Sequence, residues 1–332
     1  MIGKTLWERQ LHQRGSASAV AVTEDRVVVH ERHTRLVCLD RYDGSVRWDV
    51  PIGTWPRAVV VAGDRCLVLA HDTDQLSCLD LTTGAVVWRA GLPPFSGHVV
   101  ATAETVIVGG WRGYTPMAAF NLKDGRPLWR TQQPTATVLP LSWDGGVLSG
   151  SGSEAWLIDP HDGRELGRWR LPEPLADTDH RPAFTLVDPD RCLMPCGPRS
   201  VVAIQLSSGL VDQFFRHDSD LLASAAEFTG GVVWLSERRA GYLAVDPGDG
   251  SKLWNVEVRQ PLVSGVVRDG EGFVVVSEGG VLFRLRSDGH VLERCSSVTG
   301  VVALRDLGAG EMIMVTKGTL RVITVKPHSD AL

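Results

Sequence analysis

The sequence has 332 residues, of which 43% are hydrophobic, and its formal net charge is −5. Its basic residues are scattered, which argues against the concentrated positive patch of a nucleic-acid-binding protein. The chain also lacks an apolar run of about 18 residues that could cross a membrane, and it has no apolar leader before its first predicted strand. We therefore expect a cytoplasmic protein that contacts neither nucleic acid nor a membrane.

Short β-branched runs separated by turn residues fill the chain from Ala19 onward. The run AVAVTEDRVVVHERHTRLVCLDRYDGSVRW is typical of four consecutive strands. Similar units follow, for example VVVAGDRCLVLAHDTDQLSCLDLTTGAVVW and VVRDGEGFVVVSEGGVLFRLRSDGHVL. No window of the sequence has a helical apolar period of useful length. Four strands in roughly 40 residues predict a propeller blade rather than a helical repeat.

A tryptophan recurs at a fixed position in most of these units. Neighbouring copies are 40 or 41 residues apart from Trp7 through Trp48, Trp88 and Trp129 to Trp169, and a further copy follows at Trp254. An acidic or amide residue and a glycine precede the tryptophan, as in Asp40, Gly44 and Trp48. The acid can bond the turn backbone and the glycine accepts a left-handed conformation, which together predict a hairpin. The tryptophan is then expected to pack on the next copy of the motif.

Counting the hairpins gives the size of the ring. Seven turn glycines mark seven units: Gly44, Gly84, Gly125, Gly163, Gly209, Gly250 and Gly289. The opening run GKTLW aligns with GRPLW of the third unit, while TLRVITVK near the C-terminus has no hairpin partner after it. The N-terminal strand is therefore predicted to complete an eighth blade and to close the ring. We interpret residues 1–332 as one all-β domain, an eight-bladed β-propeller with four antiparallel strands per blade.

Two units depart from the pattern. In the fifth, Phe214 replaces the tryptophan and Gln205 replaces the aspartate. In the seventh, Arg286 stands in place of the aspartate and Arg294 in place of the tryptophan. In the seventh unit the docking contact is therefore expected to be weaker, or differently made.

The repeated phrase aliphatic-x-Ala/Cys-Leu-Asp-x-x-x-Gly-x-x-x-Trp resembles the tryptophan-docking motif of PQQ-like propellers. That family includes quinoprotein alcohol dehydrogenases and the periplasmic lipoprotein propellers of outer-membrane protein assembly. The resemblance covers essentially the whole chain and implies eight blades. It does not imply an activity, because one fold hosts many functions.

The resemblance does not extend to a cofactor. Quinoprotein dehydrogenases carry an adjacent pair of cysteines with carboxylate and amide calcium ligands, and no Cys-Cys dipeptide occurs in this chain. We therefore expect no cofactor. Cys38 and Cys78 hold the same position in successive blades and are interpreted as small core residues. Cys196 would be a candidate nucleophile if His180 or His217 lay beside it.

Candidate functional residues are sought on one face of the predicted ring, which we call the loop face. It carries the connections between blades and the turns between the second and third strands of each blade, where rigid strands position functional side chains. The acid–base candidates on it are His30, His71, His180, Glu237 and Asp74. The candidate ligand-binding residues are Trp55, Arg57, Trp111, Arg112, Tyr114, Arg199, Arg238 and Lys317. Histidine spacing in these loops fits no known zinc motif, so no metal site is expected.

Two functions remain open. The first is a monomeric, non-catalytic propeller that binds a protein or peptide partner, or another ligand, on its loop face, without redox quinone chemistry. The alternative is a small-molecule lyase, cyclase or hydrolase that uses histidines and carboxylates at the channel mouth. A deep pocket with paired histidines and carboxylates would favour the enzyme, whereas a flat apolar patch would favour a partner.

Overall fold

The computed structural model describes residues 3–16, 19–54, 56–70, 74–94, 96–110, 116–132, 138–175, 183–222, 227–238, 241–257, 263, 265–270, 272–277, 279–296 and 300–325. Within these ranges the backbone forms eight four-stranded antiparallel sheets. Each sheet is one blade of the ring, so the predicted all-β, eight-bladed propeller is confirmed. No helix in this part of the chain is long and apolar enough to span a membrane.

The strands of the described residues follow one another without helices between them. The first sixteen are β1 (Gly3–Gln10), β2 (Val20–Val22), β3 (Arg26–Glu31), β4 (Arg35–Asp40), β5 (Val46–Pro51), β6 (Pro56–Ala62), β7 (Arg65–Ala70), β8 (Gln75–Asp80), β9 (Val86–Gly91), β10 (Ser96–Ala101), β11 (Thr105–Gly110), β12 (Ala118–Asn121), β13 (Pro127–Arg130), β14 (Leu141–Trp143), β15 (Gly146–Ser151) and β16 (Glu154–Ile158). The others are β17 (Glu165–Arg170), β18 (Thr185–Asp188), β19 (Arg191–Cys196), β20 (Ser200–Gln205), β21 (Val211–Arg216), β22 (Glu227–Thr229), β23 (Val232–Glu237), β24 (Gly241–Val245), β25 (Lys252–Glu257), β26 (Val267–Asp269), β27 (Gly272–Val276), β28 (Val281–Leu285), β29 (Val291–Ser296), β30 (Val301–Gly308), β31 (Glu311–Thr316) and β32 (Thr319–Val325). Blade 1 consists of β2–β5, blade 2 of β6–β9, blade 3 of β10–β13, blade 4 of β14–β17, blade 5 of β18–β21, blade 6 of β22–β25, blade 7 of β26–β29, and blade 8 of β30–β32 together with β1.

The two middle strands of a blade are buried on both faces. Val27, Val28 and Val29 on β3 are inaccessible to solvent, because neighbouring blades cover both sides of the sheet. Such strands appear in the sequence as continuous apolar runs rather than as alternating ones. The hydrophobic core therefore lies between blades, and outer-strand residues such as Val46 and Val86 are exposed.

The N-terminal strand closes the ring, as predicted. β1 pairs with β32 in antiparallel register from Gly3 opposite Val325 to Gln10 opposite Thr319. After the strand, the backbone N–H of Leu11 donates to the carbonyl of Gly318 at 2.8 Å. The last sheet is thus assembled from both ends of the described chain, and its outer edge carries Trp7.

Each docking tryptophan joins one blade to the next. The Trp48 indole of blade 1 donates from Nε1 to the carbonyl of Leu81 in blade 2 at 2.9 Å. The same ring lies against Gly84, where a Cβ would come 2.8 Å from Trp48 Cδ2. Gly84 has a φ of +73°, which also favours glycine. Asp80 fixes the turn by accepting the backbone N–H of Thr83 at 2.8 Å. The motif is therefore a packing device, as the sequence indicates.

The fourth and fifth units retain this contact in altered form. Trp169 lies opposite Ala155, two residues farther along the strand than the usual position, and a shift of two keeps a side chain on the same face. Trp143 lies beside it, with ring centroids 6.3 Å apart. In the fifth unit Phe214 lies against Gly250 of blade 6, since a Cβ on that glycine would meet the Phe214 carbonyl. The nearest ring atom, Phe214 Cδ2, would lie 3.5 Å from that Cβ, so the contact of the fifth unit is made differently from that of a docked tryptophan.

The seventh unit requires a correction. The register places Glu293 opposite Arg284, as Trp48 lies opposite Cys38 in blade 1, so Glu293 and not Arg294 occupies the tryptophan position. The turn of this unit is one residue shorter, and counting forward from its arginine therefore overshoots by one. The Arg294 guanidinium instead lies over the Phe283 ring, 5.5 Å from its centroid.

Candidate functional site

Nearly half of the predicted site residues lie outside the described residues. They are His71, His180, Trp55, Trp111, Arg112 and Tyr114. The other candidates lie in three separate regions of the loop face: the junction of blades 8 and 1, blade 2, and the junction of blades 5 and 6.

His30, near the end of β3, is buried, and its ring contacts the Gln13 side chain and the Gly53 carbonyl. Its Nδ1 lies 2.8 Å from Gln13 Nε2, and its Nε2 lies 3.3 Å from the carbonyl oxygen of Gly53. Gln13 also donates to the His30 carbonyl at 2.9 Å. Because an amide N–H can only donate, Nδ1 acts as the acceptor and Nε2 carries the proton. This geometry favours a structural role that ties blade 1 to the N-terminal connection.

An ion-pair network surrounds the same junction. The buried Glu31 carboxylate accepts two bonds from the Arg9 guanidinium, at 2.5 and 2.7 Å, and a third contact from Arg32 at 2.9 Å. Arg32 and Arg35 in turn bind Asp49. Partial burial raises the pKa of the Asp49 carboxyl, but hydrogen bonds from Arg32 and Arg35 outweigh it and hold that pKa below its ordinary 3.8. Since Arg9 lies on β1, the network reinforces closure of the ring.

Five polar residues meet where blades 5 and 6 adjoin, and we call them the blade 5–6 corner: Arg199, His217, Asp220, Glu237 and Arg238. His217 Nε2 forms a short hydrogen bond with Glu237 Oε1, and the Arg199 guanidinium donates to Asp220 Oδ1 at 3.0 Å. The backbone holds both segments, because the His217 N–H donates to the Arg199 carbonyl at 2.9 Å and the Arg238 N–H to the Asp220 carbonyl at 3.0 Å. Three predicted residues, Arg199, Glu237 and Arg238, are thus brought together.

The corner contains groups of two kinds. His217 and Glu237 are mostly buried, with about 15% of each side chain exposed, and the His217 ring stacks on Phe215 at a centroid distance of 5.9 Å. Arg199 and Asp220 are far more exposed. Chemically, the inner pair could exchange a proton with a bound molecule, whereas the outer charges could bind a charged partner.

The remaining described candidates do not reach this corner. Asp74 is an exposed turn residue with a φ of +42°, and its carbonyl accepts the N–H of Leu92 at 2.8 Å. Arg57 lies on β6 of the same blade, and exposed Lys317 lies in the β31–β32 turn of blade 8. These residues therefore belong to separate parts of the loop face.

Cys196 does not have the environment of a nucleophile. Its side chain is inaccessible to solvent, and burial, followed by the nearby Glu173 carboxylate, raises the pKa of its thiol to about 12. A thiol with so high a pKa stays protonated at neutral pH, and the thiolate is the reactive form. Cys38 and Cys78 are also buried, in agreement with their predicted role as core residues.

The pairing of His217 with Glu237 and the role of Asp220 were not predicted from the sequence. His217 and Asp220 lie in the connection after β21, and Glu237 ends β23, so the pair forms only when two blades meet. The sequence indicated this contact only through position, because His217 follows β21 and Glu237 ends β23, and both strands end on the loop face. Among the described residues no group of three or more His, Cys, Asp or Glu side chains converges.

Comparisons with known proteins agree with the architecture. A family model described as outer membrane protein assembly factor BamB matches residues 2–77 and 72–213. No curated protein sequence matches the chain. Among solved structures, BamB from Moraxella catarrhalis is 18% identical, with 99% of each chain covered and a TM-score of 0.79.

Two further solved structures have the same fold. The computationally designed Ika8 protein is 15% identical, covering 97% of this chain and 98% of that one, with a TM-score of 0.72. A europium-containing methanol dehydrogenase is 11% identical, covering 97% and 93%, with a TM-score of 0.73. At such low identities these likenesses concern the fold alone.

Proposed function

Since the chain belongs to the family described as outer membrane protein assembly factor BamB, we propose that it is a propeller that binds a protein partner on its loop face. The blade 5–6 corner is the proposed contact. The family resemblance predicted from the docking motif is confirmed by the same match. The family description names a role in assembly, which agrees with a binding function but does not identify the partner.

The observation that carries this proposal is the arrangement of exposed charges at the corner. Arg199 and Asp220 pair at 3.0 Å, with about half of each side chain exposed, and Arg238 is also exposed. An exposed ion pair contributes only about 0–1 kcal/mol to stability, so its members can exchange partners at small cost. Backbone hydrogen bonds already hold both segments, and such preorganisation lowers the entropy lost on binding.

Charge reversal at the corner tests the proposal. The native protein and a variant carrying Arg199→Glu and Arg238→Glu are used to capture partners from an extract of the source cells, with quantitative mass spectrometry. A candidate is then purified, and its Kd is measured by calorimetry. Because like charges placed against an interface cost several kcal/mol, we expect the variant to bind at least tenfold more weakly.

The matched control carries Arg126→Glu and Arg164→Glu, which reverse two exposed arginines in turns on the opposite face. It changes the net charge equally and should bind like the native protein. Equal binding by all three proteins, with circular dichroism spectra unchanged, would refute the role of the corner.

A second candidate function is supported by the His217–Glu237 pair. A histidine held by a carboxylate in a partly shielded position is the usual arrangement of a general base and its orienting group. We propose that, if the protein is an enzyme, this pair transfers the proton. The native protein would then consume a component of a metabolite mixture, and both His217→Ala and Glu237→Gln would lose this activity. The control His33→Ala, which changes an exposed residue of the loop face, should keep it. Activity that survives both substitutions would eliminate this candidate.

The compartment and the oligomeric state stay predictions. We propose a cytoplasmic monomer, which cell fractionation and light scattering of the purified protein would check.

A further inference from the structure

A group of basic side chains lies on the loop face where blades 8 and 1 adjoin, and we call it the blade 8–1 patch: His12, Arg14, Arg32 and Lys317. All four residues are exposed. His12 and Arg14 belong to the connection after β1, Arg32 to the β3–β4 turn and Lys317 to the β31–β32 turn. The patch therefore combines three chain segments that are far apart in the sequence.

Backbone hydrogen bonds hold these three segments together. The N–H of Arg32 donates to the Leu11 carbonyl at 2.9 Å, next to His12. The N–H of Gly15, next to Arg14, donates to the Lys317 carbonyl at 3.2 Å. Because the main chain is already fixed, a partner that binds here loses little entropy in ordering it.

The ion-pair network beneath the patch leaves a positive charge in excess. Its two carboxylates belong to Glu31 and Asp49, and they bind three guanidinium groups: Arg9, Arg32 and Arg35. Glu8, farther along β1, is compensated separately by Arg321 at 2.8 Å. The network therefore does not neutralise the basic groups that surround it.

Two further cations add to this excess. The side chains of Arg14 and Lys317 form no hydrogen bond or ion pair with another described residue. Together with the one uncompensated arginine of the network, they give the junction three positive charges in excess. Their donors face solvent and can bind an anion without breaking a contact of the described fold.

The backbone of the patch has a conformation that favours glycine. The angle φ is +53° at His12 and +50° at Arg32, and residues other than glycine are uncommon in this region. The turn of the same length in blade 5 begins with Gly197, which has a φ of +63°. The turn itself thus does not require an arginine, and side chains kept against such a backbone preference cluster at functional sites.

The chemistry of the patch selects the class of ligand. Guanidinium and ammonium groups bind carboxylates through charge-assisted hydrogen bonds. Exposed cations on separate segments fit an extended anion with several carboxylates better than one small anion. The whole chain has a net charge of −5, so a long polyanion such as nucleic acid would be repelled beyond the patch, whereas a short acidic segment would contact the patch alone.

We infer that the blade 8–1 patch binds an acidic segment of a partner protein, with Arg14 and Lys317 as its main contacts and His12 and Arg32 beside them. This inference goes beyond the proposed function, because the blade 5–6 corner is a different part of the loop face. Its test uses purified protein and a synthetic peptide. Failure of that test would leave the capture experiment on the corner unaffected, and failure of the capture experiment would leave this one unaffected.

The probe is a rhodamine-labelled hexaglutamate peptide, followed by fluorescence anisotropy at about 50 mM salt, where surface charges are weakly screened. The test variant carries Arg14→Ala and Lys317→Ala, and circular dichroism verifies that it is folded. Since each exposed ion pair contributes little, the loss of two should weaken binding roughly fivefold. A hexaglutamine peptide should not bind the native protein, and this arm needs no protein variant.

Two controls change the net charge by the same amount as the test variant. One carries Arg126→Ala and Arg164→Ala in exposed turns of the opposite face, and the other carries Arg199→Ala and Arg238→Ala at the blade 5–6 corner. Both should bind the peptide like the native protein.

Absence of binding to the native protein, or equal affinity for hexaglutamate and hexaglutamine, would overturn the inference. Unchanged binding by the folded test variant would do the same, as would an equal loss in either control. Tighter binding of a thymidine hexanucleotide than of hexaglutamate would overturn the assignment to a protein segment and favour a nucleic acid.

Discussion

The docking contact allows its contribution to stability to be measured with two alanine substitutions in one blade. Gly84→Ala would place a Cβ 2.8 Å from Trp48 Cδ2 at a φ of +73°. Gly63→Ala would introduce the same methyl at a φ of +58° with no heavy atom of a non-adjacent residue within 4 Å. The two variants share the backbone penalty and differ in the clash with the indole.

The magnitudes follow from these two terms. An alanine in the left-handed region costs roughly 1–2 kcal/mol, which is the whole effect expected for Gly63→Ala. Overpacking a close contact costs about 1–3 kcal/mol more, so Gly84→Ala should lose about 2–5 kcal/mol of unfolding free energy. The difference between the variants reports the tightness of the tryptophan contact.

Urea unfolding followed by intrinsic fluorescence measures the loss, provided that the slope of free energy against urea stays constant. Introducing Trp48→Phe into the native protein and into the Gly84→Ala variant completes a double-mutant cycle. Residues in contact should give a coupling energy of roughly 0.5–3 kcal/mol. Equal losses for Gly63→Ala and Gly84→Ala, with no coupling to Trp48, would refute the assignment of this contact as the fastener between blades.

Other predictions concern charge and the thiols. Glu31→Ala should destabilise the protein by about 1.5–3 kcal/mol, because it removes charge-assisted hydrogen bonds to Arg9, while the arginines left behind are partly exposed. An unchanged melting temperature would contradict a stabilising role of this network. The pKa of Asp49 is lower in the folded protein than its ordinary 3.8, so its contribution to stability is complete above that pH and is lost as pH falls through the folded value. Asp49→Asn should therefore reduce the acid dependence of unfolding below pH 3.8, and an unchanged profile would contradict this. Cys196 should resist iodoacetamide at pH 7.5 because its pKa is about 12, whereas rapid labelling seen by mass spectrometry would contradict its burial.

The fold was predictable because its determinants are local and repeated. Asp80, Gly84 and Trp48 each act within one hairpin or between adjacent hairpins, so their spacing appears directly in the sequence. The error at Arg294 has the same origin, since a turn shorter by one residue changes the count without changing the composition. The pairing of β1 with β32 was also predictable, although the two strands are far apart in the chain, because each of them carries its part of the repeated motif.

The candidate site was predicted less well because it depends on contacts between blades. His30 has the sequence context of a loop histidine, but Gln13 from the N-terminal connection holds its ring and makes it part of the core. Glu237 was identified, whereas its pairing with His217 requires the geometry of two blades.

The split last blade also determines when the molecule can be completed. Gln10 pairs with Thr319, so β1 waits after its synthesis for a partner that is made roughly 300 residues later. At about 5–20 residues per second, that delay is on the order of 15 to 60 seconds. Until β32 has been made, β1 has an unpaired edge and blade 1 has no neighbour on one side, so the nascent chain is open to misassembly during this interval. A protein that bound this strand transiently would act during translation and would be absent from the finished ring.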